Sequence, residues 1–233
     1  MIDWYDWSGG REAMLRFGPA SGPVVVVALP LFEEANRTRT FAVALMRLLA
    51  ERGIASALPD LPGTGESLVQ IKAVGLPQLH AAYQGAVDAL RRQERSCYAL
   101  SIRSGALIDA HASVRGRWHF SPQPGADLMR ELKRIALAPG TPDQGNWWSL
   151  ENSTEIAGNR LSSDLLSALA LAQPYADAPG SPLRTIRYDS DPRPADLQAA
   201  GTPLWRRAEP DHDPALAALL ADDIAAWIHA CEG

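Results

Sequence analysis

The stretch Pro23 to Pro30, PVVVVALP, constrains the fold more than any other part of the chain. Its β-branched run shows no alternation of apolar and polar residues, so the strand it forms must be covered on both faces. The segments that follow keep a strand–helix rhythm. Thr38 to Arg52 carries apolar residues at helical spacing (Phe41, Leu45, Leu48, Leu49) and stops at Gly53, a residue suited to closing a helix. Ile54–Leu58 reads as a second strand, Leu76–Glu94 as a helix and Cys97–Ile102 as a third strand. A helix over Ser104–Ala112 and a fourth strand over Gly116–Phe120 follow. Such alternation implies an α/β fold, with a mostly parallel central sheet and helices on both faces.

The middle of the chain changes character. Pro122 to Pro182 holds two helical patterns, Ala126–Ala138 and Ser162–Ala172, separated by a Pro/Gly/Asn-rich break with Trp147 and Trp148. Strand rhythm returns at Leu183–Tyr188 and Pro203–Ala208, and a last helix runs from about Pro214 to Ile228. The expected organisation is one domain over residues 1–233 with a helical cap inserted at about 122–182. A chain of 233 residues suits a single domain.

Bulk properties narrow the partners. Hydrophobic residues make up 46% and charged residues 21%, an ordinary globular balance. The net charge of −5 and the lack of a basic stripe exclude nucleic acid and anionic membrane as expected partners. The longest apolar run, Val24 to Leu31, is too short for a membrane span. Met1 to Arg11 lacks the apolar core of a signal peptide, so the expected location is cytoplasmic. Cys97 and Cys231 read as unpaired thiols of a reducing compartment. No spacing fits a metal site, and no cofactor is expected. The remaining partners are a small-molecule, acyl or anionic ligand, with a homodimer left open. His80, His111, His119 and His229 read as surface or packing residues, and Arg184, Arg187, Arg206 and Arg207 as solvated strand edges. Trp147 and Trp148 read as packing within the cap or as lining of a pocket beneath it.

Ligands of open parallel sheets bind beyond the carboxyl ends of the strands. Five polar turns are expected there: the one starting at Leu31, Asp60 to Ser67 (DLPGTGES), Ser101 to Ala106 (SIRSGA), Asp189 to Pro192, and Glu209 to Pro214. DLPGTGES resembles the D-x-x-G-x-G-x-S turn of α/β-hydrolases. Asp191-Pro192 resembles the acid turn of that superfamily and His212 its histidine turn, in the chain order elbow, acid, histidine; Asp189 is the rival acid. The resemblance covers Pro23 to Ile228 and implies an α/β-hydrolase fold. LPLFEEANRTR, GADLMRELKRIALA, TEIAGNRL and SIRSGAL further resemble segments of the hydrolases encoded with bacterial exosortase A and exopolysaccharide systems.

The elbow departs from the superfamily pattern. Serine hydrolases carry G-x-S-x-G; here Ser101 and Gly105 take the glycine positions and Arg103 that of the nucleophile. A guanidinium stays protonated and cannot attack a carbonyl. Three readings stand. Arg103 holds an anionic ligand; or Ser104 or Ser101 serves as nucleophile, with His212 as base and Asp191 as its orienter; or Arg103 pairs internally with Glu33 or Glu34 and the centre is inactive. The loop Leu31-Phe32-Glu33-Glu34 stands where many hydrolases have His-Gly. Two carboxylates there oppose an oxyanion and suit a cation or Arg103, Arg37 or Arg39; they equally suit a helix N-terminus. The functions that follow are an ester or thioester hydrolase, a binding protein using Arg103 with Leu31, Phe32, Glu33 and Glu34, or a structural partner in an export complex.

Overall fold

Val24, Val26 and Ala28 face one side of the sheet and Val25 and Val27 the other, and all five are buried. This is the two-sided burial expected of a β-branched run without alternation. The computed structural model of the protein describes residues 1–137, 148, 153–176, 180–207 and 209–233. Its strands among those residues are β1 (Ile2–Trp7), β2 (Gly10–Phe17), β3 (Val24–Ala28), β4 (Ala55–Pro59), β5 (Cys97–Ile102), β6 (Arg117–Phe120), β7 (Ser153–Ile156), β8 (Asn159–Ser162), β9 (Leu183–Tyr188) and β10 (Leu197–Ala199). Eight of them form one sheet in the order β1-β2-β4-β3-β5-β6-β9-β10, parallel from β4 to β10 and antiparallel at the β1–β2 edge. β7 and β8 form a separate hairpin.

The helices are α1 (Glu33–Glu51), α2 (Leu76–Arg91), α3 (Gly125–Ala136), α4 (Ser163–Leu171) and α5 (Pro214–Glu232). α1 and α5 cover the face that carries Val25, Val27, Leu100, Ile102 and Phe120. α2 covers the opposite face, where α3 and α4 continue its apolar cluster. α1 buries Thr38, Phe41, Ala42, Leu45, Met46 and Leu49, one stripe at helical spacing. It ends at Gly53, whose φ of 75° lets the Ile54 N–H return to the Leu49 carbonyl. α5 is long and apolar enough by composition to cross a membrane. Leu216, Ala217, Leu220, Ala221, Ile224 and Ile228 are instead buried in the core, which makes it a core helix.

Several expected elements shift. The elbow segment forms a short 3-10 turn, Arg103–Leu107, rather than a helix to Ala112. The strand expected at Pro203–Ala208 is absent over its described residues, 203–207: Leu204–Arg206 is a 3-10 turn that buries Leu204 and Trp205, and the edge strand is β10. β10 has three residues and none is β-branched, so it leaves little trace in the pattern. α1 begins at Glu33, before the expected Thr38. Between β6 and β9 the chain holds the β7–β8 hairpin as well as two helices. Most of the Pro/Gly/Asn-rich break there, Trp147 included, lies outside the described residues.

β3 pairs with β4 on one side and β5 on the other. The chain therefore reverses its direction of sheet building at β3, and a crevice opens above the carboxyl ends of β3 and β5. The Leu31 loop and the Arg103 turn meet there.

Candidate active-site crevice

β5 ends at Ile102 and the chain turns sharply into the 3-10 segment. Arg103, at the turn, has a φ of 55°. A non-glycine residue held there costs roughly 1–3 kcal/mol, a strain typical of sites that display one side chain. Gly105 makes the turn possible: a Cβ would lie 2.3 Å from the Ala28 carbonyl oxygen and 2.7 Å from that of Leu29.

The Arg103 side chain is buried and paired. Its Nη2 donates to both carboxylate oxygens of Glu131 at 3.0 Å and to Glu34 Oε1 at 3.3 Å, and its Nε donates to Glu34 Oε2 at 3.3 Å. The guanidinium carbon stands 4.5 Å from the centre of the Trp205 ring, within the range of a cation–π contact. Gln123 completes the group, its Nε2 donating to Glu131 Oε2 at 2.8 Å and its backbone N–H to the Arg103 carbonyl at 3.3 Å. Burial raises the Glu34 carboxyl above the ordinary glutamate range; the Arg103 charge opposes that shift and Glu131 adds to it. Of the two acids expected as partners of Arg103, Glu34 takes the role, and Glu33 pairs with Arg37 at 2.6 Å.

The candidate serines are both buried. Ser104 Oγ accepts the Leu31 N–H at 2.9 Å. Ser101 donates to Asp109 Oδ2 at 2.6 Å. Asp109 also meets His119 Nε2 at 2.9 Å, and Arg117 donates to its backbone carbonyl at 3.1 and 3.2 Å. All of this lies in the interior, so His119 is a packed residue with a carboxylate partner.

Asp191 is bound by Arg193 at 2.7 Å and Arg187 at 3.0 Å. Hydrogen bonds from Arg193, ahead of the contribution of Arg187, hold its carboxyl far below the aspartate range. His212 is exposed, 3.8 Å from Asp211. Arg207 clamps the same turn by pairing with Asp211 and with Asp213, the N-cap of α5. Among the described residues no hydrogen bond or ion pair joins His212 to Asp191, Ser101 or Ser104. Three of the late-strand arginines differ from the expected solvated edges: Arg184 pairs with Asp223 at 2.6 Å, and Arg187 and Arg207 hold turns; Arg206 is exposed as expected.

Phe32 caps α1 with φ 60° and ψ −132°, a conformation that ordinarily calls for glycine. Leu31, Phe32, Glu33 and Glu34 face Leu128, Glu131 and Leu132 of α3 and the β7–β8 hairpin across a space of about 50 Å³. On its α3 side the elbow is thus nearly closed. Glu131 is the main residue that sequence reasoning missed. Its signal is faint: it falls three residues after Leu128 and one before Leu132, beside the apolar stripe of α3. Trp148 donates to Ser167 Oγ at 3.1 Å and packs against the α2-side core. No group of three or more His, Cys, Asp or Glu side chains arranged for a metal occurs among the described residues.

The sheet order, the two helical layers and the strained strand-to-helix turn define a protein of the α/β-hydrolase fold. No family model matches the sequence, and no curated protein matches it in a sequence comparison. Solved structures do. Est1E from Butyrivibrio proteoclasticus, seen with ferulic acid bound, superposes with a TM-score of 0.66 at 14% identity, over 96% of this chain and 98% of that one. The alpha/beta hydrolase domain-containing protein 10 from mouse gives 0.65 at 13% identity, over 98% of both chains. The bottromycin epimerase BotH, in complex with bottromycin A2, gives 0.56 at 15% identity, over 97% of this chain and 98% of that one. At these identities the likeness is one of fold.

Proposed function

We propose that this protein is a non-acylating member of the α/β-hydrolase fold that uses the Arg103 crevice to bind an anionic small-molecule or acyl ligand. The observation that carries this reading is the guanidinium at the strained turn, paired to Glu34 and Glu131 where a serine hydrolase needs a free hydroxyl beside an imidazole. The positions of the serines agree with it. Ser104 is engaged by the Leu31 N–H, Ser101 by Asp109, and His212 stands in solvent. That the fold also houses an epimerase supports a role other than ester cleavage.

The segments that resemble those of exosortase A-associated hydrolases support a setting for it. We assign the protein to exopolysaccharide systems and to the cytoplasm, with the segment between β6 and β9 as a cap over the crevice. A fluorophosphonate probe tests the central claim. Folded protein is expected to remain unlabelled. Labelling that disappears in Ser104→Ala or Ser101→Ala would overturn the reading and install an ester or thioester hydrolase, with His212 as base and Asp191 as its orienter.

A further inference from the structure

On the β9 side of the elbow lies a cavity of about 240 Å³, smaller than the ~300–1,000 Å³ usual for drug-sized ligands. Arg103, Ser121, Tyr188, Asp191, Arg193 and Arg206 line it, with Trp205 as a wall. Its polar groups are not all used. Arg103 spends Nη2 and Nε on Glu34 and Glu131, and its Nη1 makes no hydrogen bond among the described residues. Arg206 is exposed and has no ion pair among them. Ser121 is 2% exposed, its hydroxyl has no hydrogen-bond partner among the described residues, and its φ is 49°.

A buried hydroxyl without a partner costs about 1–3 kcal/mol, and a strained non-glycine backbone adds to that. Asp191, the one carboxylate in the lining, is already engaged by Arg187 and Arg193. The lining itself holds three arginines and one carboxylate. Glu34 and Glu131 face Arg103 from behind, Asp127 lies 3.6 Å from Arg193, and Arg206 is left without a carboxylate among the described residues, beside an idle hydroxyl and a space too small for a large ligand.

We propose that this cavity binds a small oxyanion, either free or as the terminal group of a larger ligand, between the guanidinium groups of Arg103 and Arg206 and the Ser121 hydroxyl. The inference rests on the reading of the crevice as a binding site and adds where the charge sits and which side chains grip it.

Titration calorimetry with sodium phosphate, sulfate and acetate at constant ionic strength tests it on wild type, Arg206→Ala, Ser121→Ala and Arg11→Ala. Arg206 and Arg11 are exposed, and Ser121→Ala removes an unsatisfied group, so the variants should fold. One-site binding is expected, with Kd about tenfold higher in Arg206→Ala, a few-fold higher in Ser121→Ala, and unchanged in Arg11→Ala. Tighter binding of acetate than of phosphate or sulfate would assign a carboxylate, and the reverse a tetrahedral anion. Binding that is indifferent to both cavity variants would overturn the inference while leaving the Arg103 binding reading in place. Absence of binding by all three anions would also overturn it, and the reading would then stand or fall on serine labelling alone.

Discussion

A guanidinium buried between two carboxylates stabilises a fold little when intact, yet its loss is expensive, because the partners remain buried with unopposed charge. Arg103→Met should therefore destabilise the protein by about 3 kcal/mol at pH 7, the lower end of the range for such losses because Glu131 is partly in solvent. The effect should depend on pH. Glu34 already titrates above the ordinary glutamate range because of burial, and Arg103 restrains that shift. Without the guanidinium the folded state holds the Glu34 proton more tightly than the unfolded chain does. Stability from that proton is present at low pH and fades as pH rises through the folded-state pKa. The deficit of Arg103→Met should thus shrink between pH 7 and pH 5, and urea midpoints at the two values measure it. An equal deficit at both would mean that Glu34 does not carry the penalty. At this scale the sequence was half legible. Arg103 announces itself because a cation cannot be a nucleophile, and Glu34 because it lies in the facing loop. Glu131, Gln123 and Trp205 come from distant parts of the chain, with no motif to bring them together.

At the scale of elements, apolar periodicity and helix stops located β3, β4, β5, β6, β9 and the body of every α-helix, while the edges escaped. The β1–β2 hairpin, to which the sequence reading assigns no element, has one exposed face, and its Trp and Asp residues do not follow a clear alternation. The segment Leu204–Trp205 is apolar and was expected to pair, yet it buries its side chains without joining the sheet. The packing of α3 on α4 hangs on one glycine. The Gly125 N–H donates to the Ala172 carbonyl at 2.9 Å, and a Cβ there would fall 1.7 Å from the Leu169 carbonyl oxygen. Backbone cannot yield as a side-chain tip does, so α4 must move. Gly125→Ala should cost about 3 kcal/mol of stability, with an unchanged denaturant slope in urea melts followed by circular dichroism. A neutral result would show that α3 and α4 pack more loosely than this contact implies.

For the molecule as a whole, the fold class was legible because it rests on redundant signals: two-sided burial in β3, strand–helix alternation, and polar turns at one end of the sheet. The function was not, since the side chains that meet at the crevice depend on how the segment between β6 and β9 lies over it. The Arg103 cluster has a consequence for the time course of folding. It joins residues 34, 103, 131 and 205, so its contacts close loops of 69 and 28 residues to the two carboxylates and a longer one to Trp205. The cluster needs long loops closed and charges dried, and we expect it to form after the main barrier has been crossed. Interactions absent from the transition state set the escape rate from the native basin and leave the entry rate alone. Stopped-flow chevrons of Arg103→Met should show the unfolding arm raised by about a hundredfold and the folding arm nearly unmoved. A change confined to the folding arm would place the cluster in the nucleus instead. On this account the arginine at the elbow acts as a clasp, fastened last, that lengthens the lifetime of the closed molecule.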